Sequence, residues 1–255
     1  MAAKAKNETS LPVVGLVDEP WVHLPNGREL ADWTEQDLIA FNQRHRQMAK
    51  HAFYLSAFDL QKSNCIAGDY FEFGCHRART FRMALTEARR RFMDDMHFLA
   101  FDSFAGLPEC EEDVDVAAYF PGALCTSEEE FLCLVAEHGI YLDKVSIYKG
   151  FYNITLTPKL QSELLAQGRK ATIVCVDCDL FSSAMDVFNF IGPFLQPGTI
   201  LYLDDMFAGY QGSPLRGVNG AFLEFQKHAA LKFITYMQVG TFGRAFIAYE
   251  NNPRG

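Results

Sequence analysis

Thr172-Ile-Val-Cys-Val-Asp-Cys-Asp179 is the stretch on which the fold turns. Its first five residues show no polar alternation, the pattern of a strand buried on both faces of a parallel sheet. Two aspartates follow where such a strand must surface. Gly198-Thr-Ile-Leu-Tyr-Leu-Asp-Asp205 repeats the arrangement, an apolar run closed by an acidic pair. Ligands of open α/β sheets gather at the carboxyl ends of the parallel strands, so the two pairs are expected to crowd one edge.

Working outward, short apolar runs alternate with helical patterns. Strands are predicted at Tyr70–Phe73, His97–Phe101 and Val145–Tyr148, with helices at Thr80–Phe92, Ser127–His138, Leu156–Gln167, Ser182–Phe194 and Val218–His228. Runs near 232–238 and 243–249 read as a closing hairpin. The alternation predicts a Rossmann-like, doubly wound α/β sheet, mostly parallel, with an antiparallel C-terminal edge. Upstream, residues 1 to about 33 carry Pro12, Pro20 and Pro25 and little periodicity. Thr34-Glu-Gln-Asp37 resembles a capping box with Asp in place of Glu or Gln. It opens a helix to about Leu60, with Leu38, Phe41, Met48, Ala52 and Leu55 near helical spacing. We therefore expect residues 1–60 to form an extension and helix, serving as lid or subunit interface in a possible homo-oligomer. Residues 61–255 then form the main domain.

Composition narrows the function. An apolar share of 49% and a charged share of 22% are those of a globular chain, and 23 Phe with 10 Tyr predict an aromatic core. The net charge of -9 argues against broad, salt-driven nucleic-acid binding, while leaving room for a small basic pocket. No run approaches the roughly 20 apolar residues of a membrane span. Seven cysteines, an odd number, and no apolar core after the first lysines lead us to expect reduced thiols and a cytoplasmic location. Cys175 and Cys178 lack the second ligand pair that zinc needs and are expected to be buried thiols.

The other strand ends hold further candidates. Glu72-Phe-Gly74 leads into a helix, so backbone can approach a ligand at Gly74. A dinucleotide fingerprint wants three glycines and this loop has one, which disfavours a nicotinamide-dependent oxidoreductase. Asp102 ends the next strand, where an acid can hold both ribose hydroxyls. Asp177, Asp179, Asp204 and Asp205 repel one another, and a hard divalent cation such as magnesium would relieve that repulsion. A bound cation also lowers the pKa of a coordinated hydroxyl, as it does for water. A serine hydrolase is disfavoured because no Gly-x-Ser-x-Gly elbow occurs.

Glu72-Phe-Gly74, Phe101-Asp-Ser-Phe-Ala-Gly-Leu-Pro108, Gly150-Phe with Thr155-Leu156, Val176-Asp-Cys-Asp-Leu-Phe181 and Leu203-Asp-Asp205 occur in an order that resembles the macrocin O-methyltransferases, over about residues 66–250. The resemblance implies an S-adenosylmethionine-dependent enzyme that methylates a hydroxyl of a small-molecule acceptor such as a sugar or another diol-bearing natural product. It implies cofactor contacts from Glu72, Gly74, Thr80, Asp102, Ser103, Phe104 and Asp177, with Glu72 and Gly74 along the methionine part, Asp102 on the ribose, and Ser103 and Phe104 near the adenine. It further implies magnesium ligands at Asp177, Asp204 and Asp205, and a general base at Asp179. The chain departs from the family where Ala78-Arg79 replaces a Gly-Gly pair, and where Phe181 replaces a tyrosine. Arg79 would either pair with the cofactor carboxylate or point to solvent; its bulk also raises the alternative of a non-catalytic protein that keeps the cofactor pocket. The Gly-rich loop Phe207–Arg216 reads equally as a mobile cover, with Tyr210 and Arg216 toward the acceptor, or as an ordinary surface loop, and His76 is the histidine to test because it lies inside the cofactor loop.

Overall fold

The structure, a computed structural model, describes residue 25 and residues 27–109 and 120–251. The proline-bearing segment through residue 24 and the acidic run 110–119 lie outside those residues. The chain divides into two units, Met1–Asn42 and Gln43–Gly255.

In the first unit, the Thr34 and Asp37 pair does cap the helix α1 (Glu35–Ser63). Asp37 N–H donates to Thr34 Oγ1 at 3.2 Å, and Thr34 N–H donates to Asp37 Oδ2 at 3.0 Å. An aspartate can thus close the box, satisfying orphan donors in the way a glutamate would.

The second unit is built on a seven-stranded sheet of order β3-β2-β1-β4-β5-β7-β6. Its strands are β1 (Asp69–Phe73), β2 (Phe98–Asp102), β3 (Val145–Lys149), β4 (Ala171–Val176), β5 (Ile200–Leu203), β6 (Lys232–Val239) and β7 (Gly243–Tyr249). The first five are parallel; β7 runs antiparallel to β5 and pairs with β6 in the closing hairpin. The expected doubly wound architecture is the one observed. Every residue of β1 and β4 is buried, the reason Thr172–Val176 lacks alternation.

Helices α2 (Arg79–Arg90), α3 (Glu128–His138), α4 (Tyr152–Thr155), α5 (Pro158–Ala166), α6 (Phe181–Ile191) and α7 (Gly217–His228) connect the strands. The helix expected at Leu156–Gln167 is α5, which starts at Pro158 because Thr157 accepts a bond from Leu160 N–H and Pro158 takes the first helical position; the short α4 precedes the expected span. The apolar residues used to find α1 are not the ones it buries. Leu38, Phe41, Met48 and Leu55 are exposed, whereas Phe53, Tyr54, Ala57, Phe58 and Gln61 are buried. Periodicity located the helix; the sheet selected a different stripe.

The aromatic content has a specific use. Phe73, Phe101 and Tyr148 stand opposite one another across β1, β2 and β3. Their rings stack with centroids 4.6 and 4.7 Å apart, pairs worth roughly 0.5–1.5 kcal/mol each beyond their burial. This ladder fixes the ends of three strands just below the loops that carry the candidate site. Cys175 and Cys178 are free, buried thiols.

Candidate active site

The chain reverses its direction of winding between β1 and β4, the position where ligands of doubly wound sheets bind. The two strand ends are drawn together there, with Asp177 N–H donating to Phe73 O at 2.8 Å. Gly74 has a φ of +90°, and a Cβ placed on it would lie 1.7 Å from the Asp177 carbonyl oxygen. Only glycine fits this seam, so its single appearance in the loop has a steric cause.

Two cavities open on either side of the seam. The first, about 220 Å³, is lined by Gly74, Asp102, Ser103, the 106–109 turn, Gly150–Asn153 and the start of α6 at Ser182, Ser183 and Asp186. The second, about 270 Å³, is lined by Gln43, Arg46, Gln47 and Lys50 of α1, by Arg79 and Thr80, by Asp204 and Asp205, and by the hairpin turn 239–243. His76, Leu124, Asp177 and Asp179 line both. A group transferred between the two cavities would pass these side chains.

In the first cavity Asp102 is held from behind. Cys75 N–H donates to its Oδ2 at 2.6 Å and Phe104 N–H to its Oδ1 at 2.7 Å. Burial pushes its pKa up, against those two donors. Ser103 donates to Gly106 O at 2.7 Å, tightening the turn that follows β2. Phe104, expected near an adenine, lines neither cavity. With φ +52° its ring turns into the core against Phe131, at 5.5 Å.

Glu72 also departs from its expected place along the cofactor. It is fully buried and lines neither cavity. Residues two apart on a strand share a face, so Glu72 points with Tyr70 toward the helices. Tyr70 donates to its Oε2, and Thr80 donates to its Oε1 at 2.9 Å. Tyr54 lies 2.7 Å from Tyr70, hydroxyl to hydroxyl. Burial pushes the Glu72 pKa up to about 8, with the charge of Asp177 adding to the rise and the Tyr70 and Thr80 bonds opposing it. Glu72 therefore supports the loop from beneath.

The second cavity holds the acidic cluster that the two strand ends predicted. Asp177, Asp204 and Asp205 each offer a carboxylate oxygen, all within 4.8 Å of one another. Burial and the charge of Asp204 raise the Asp177 pKa; burial, Asp179 and Asp204 raise that of Asp205. Asp205 Oδ2 is buried without a hydrogen-bond partner. Such an orphaned carboxylate oxygen is costly, and an oxygen-seeking divalent cation is a fitting partner for it.

Lys50 answers part of that charge, and sequence reasoning missed it. Its Nζ lies 2.6 Å from Asp204 Oδ2 and 3.5 Å from Asp177 Oδ2. Burial alone would lower the lysine pKa, but Asp177 and Asp204 outweigh it and raise it. Tyr202 donates to the other oxygen of Asp204. One signal was available: Gln43, Arg46, Gln47 and Lys50 form a polar stripe at helical spacing on α1, and all four line the cavity. Asp179 stands in the left-handed region at φ +61°, a strain that proteins keep mainly at functional sites. Tyr210 and Arg216, expected to face an acceptor, line neither cavity; Arg216 bonds to Gln211 instead.

A Rossmann-like sheet with a cavity at its switch point and carboxylates beside it fits the class of S-adenosylmethionine-dependent methyltransferases. The chain belongs to the macrocin O-methyltransferase (TylF) family, whose model matches residues 50–232, and it is an S-adenosylmethionine-dependent O-methyltransferase. No match was found among curated proteins. Solved structures with the same fold include the O-methyltransferase NovP, at 19% identity and TM-score 0.62 over 79% of this chain and 80% of that one. They also include CalS11, a calicheamicin methyltransferase, at 16% identity and TM-score 0.64 over 89% and 87%. TomG from Streptomyces achromogenes, solved with S-adenosylmethionine, matches at 14% identity and TM-score 0.51 over 79% of each chain. Among the described residues no helix is long and apolar enough to cross a membrane.

Proposed function

We propose that the chain transfers a methyl group to one hydroxyl of a vicinal diol, on a sugar or other natural product, beside a divalent cation. The observation that carries this reading is that Asp179 and Asp177 line both cavities, at the junction of the switch-point cavity and a carboxylate cluster. The described tasks of CalS11 in calicheamicin biosynthesis, as a TDP-rhamnose 3'-O-methyltransferase, and of TomG in tomaymycin synthesis favour such an acceptor.

In this reading the first cavity takes S-adenosylmethionine, with Asp102 accepting from the ribose hydroxyls and Gly74 letting the β1 loop lie against the methionine part. Asp177, Asp204 and Asp205 would hold magnesium or a similar cation. When bound, the cofactor supplies an electrophilic methyl group, and the cation supplies positive charge for the acceptor's oxygens. Asp179 takes the proton from the acceptor hydroxyl, a contribution typically about 10²- to 10⁴-fold. Lys50 holds Asp204 and Asp177 in place and offsets their repulsion when no metal is bound. Thr80 and Glu72 fix the start of α2 so that His76 and Arg79 face the acceptor side. Orienting the diol against the transferred group lowers the barrier by prepaid entropy. Residues 1–60 would act as a lid or an interface.

The reading is tested by following methyl transfer from S-adenosylmethionine to a panel of vicinal diols, with magnesium and with chelator. Transfer to diols that is lost on chelation is expected. Undiminished transfer after complete metal removal would overturn the role given to the acidic cluster.

A further inference from the structure

A third cavity, about 500 Å³, continues outward from the acceptor site and differs from it in charge. It is lined by Gln43, Arg44, Gln47, His76, Arg77, Arg79 and Leu124. Of these, Gln43, Gln47, His76, Arg79 and Leu124 also line the acceptor cavity, so the two are continuous. Three arginines line this space and, among the described residues, no carboxylate does, in a chain whose net charge is -9. An acidic protein that gathers arginines at the mouth of one cavity creates a local positive field, which attracts and orients anions.

The cations bear on one another. Burial lowers the pKa of Arg79, with Arg77 and Arg82 adding to it. Burial likewise lowers that of His76, and Arg77 and Arg79 reinforce the effect. Arg77 and Ala78 both adopt left-handed backbone, at φ +56° and +47°, a cost met where the chain enters α2 and both Arg77 and Arg79 line the cavity. The cap position of α2, Ala78, makes no side-chain bond to the first turn, so that turn's N–H groups add to the positive end.

We propose that this groove is a phosphoryl-binding subsite and that the methyl acceptor carries a phosphate or diphosphate. The proposal rests on the methyltransferase reading of the adjoining site. The acceptor's diol would lie at Asp177, Asp204 and Asp205, and its phosphoryl oxygens would be gripped by Arg44 and Arg77, with Arg79 between. Arginine suits this task because its planar fork meets phosphate oxygens two at a time.

The test is calorimetric, in metal-free buffer, on protein first saturated with S-adenosylhomocysteine so that the cofactor's carboxylate site is filled. Inorganic pyrophosphate and glucose 1-phosphate are the probes, with glucose as the uncharged control. Both anions are expected to bind, more weakly as salt is raised, while glucose is not. Stronger binding of pyrophosphate would mark a nucleotide-linked sugar as the source, and stronger binding of glucose 1-phosphate a simple sugar phosphate. The double variant Arg44→Gln/Arg77→Gln should weaken anion binding by about tenfold or more, while Arg44→Lys/Arg77→Lys keeps part of it. Affinity for S-adenosylhomocysteine should be the same in all three proteins, which also shows that they fold. Absence of anion binding to cofactor-loaded protein, or binding unchanged in the double glutamine variant, overturns the subsite and leaves the methyltransferase reading standing. Failure of S-adenosylhomocysteine to bind the wild-type chain overturns both.

Discussion

The two cavities that meet at Asp177 and Asp179 are assembled from the chain in different ways. The first is largely local: much of its wall follows the ends of β1, β2, β3 and β4, the start of α6 completes it, and its polar groups include short side chains tied to backbone, as Asp102 and Ser103 are. The second is composite, drawing on α1, the β4 and β5 ends and the β6–β7 turn, which are separated by up to about two hundred residues. Its groups are long or charged, and they balance one another across the cavity. A surface made by consecutive loops is specified by short motifs. A surface made by distant elements is specified by charge balance and packing.

Four changes sharpen this contrast, taken from the largest effect to the smallest. Gly74→Ala strikes the seam that both cavities share. The Asp177 carbonyl at 1.7 Å leaves no room for a methyl group, and φ +90° is strained for alanine. A loss of about 3 kcal/mol or more in denaturant unfolding, or failure to accumulate folded protein, is expected. A variant as stable as the wild type would contradict the close approach of β1 and β4.

Asp179→Asn should reduce turnover by about 10²- to 10⁴-fold and leave S-adenosylhomocysteine affinity unchanged. If turnover survives, Asp179 is not the base, and His76, which lines the same junction, takes its place in the account.

Glu72 provides a pH test of the buried support. Its folded pKa near 8 lies above its ordinary value near 4.5, so between those values the folded state binds more protons than the unfolded one. Its contribution to stability is therefore fully present below about pH 4.5 and is lost as pH rises through 8, by on the order of a few kcal/mol. Glu72→Gln should flatten that part of the stability profile. An identical slope in wild type and variant would remove Glu72 from the network.

Lys50→Met removes the internal cation from the acidic cluster. The metal-free protein should lose stability, and magnesium should then raise Tm more than it does in the wild type, with affinity increased by about tenfold, or about 1.4 kcal/mol. Weaker magnesium binding in this variant would mean that Lys50 and the metal act together at the cluster.

The same contrast explains what could be read from the chain beforehand. The strands, the hairpin and the acidic edge were legible, β4 and β5 most clearly, because buried parallel strands lose their alternation and each acidic pair directly follows one. The cap at Thr34 was legible for a similar reason, since its partners are three residues apart. The places expected for Glu72 and Phe104 come from motif resemblance, which does not tell which way a side chain faces. Strand parity turned Glu72 toward Tyr70, and a left-handed φ turned Phe104 into the core. Lys50 lies 127 and 154 residues from the carboxylates it meets. No local pattern joins such residues, although the polar stripe on α1 marked the face that carries it.

A cofactor cavity and a separate acidic cluster that holds a cation are the central division proposed for this molecule. Asp204→Asn tests it directly, since Asp204 lines only the second of these two cavities. Calorimetric titration of metal-stripped wild type and variant with S-adenosylhomocysteine, and then with magnesium, reads both sites in one protein. Equal S-adenosylhomocysteine affinities, with magnesium binding lost in the variant alone, are the predicted result. Loss of cofactor affinity alongside the metal, or magnesium binding that is the same in both proteins, would contradict the account.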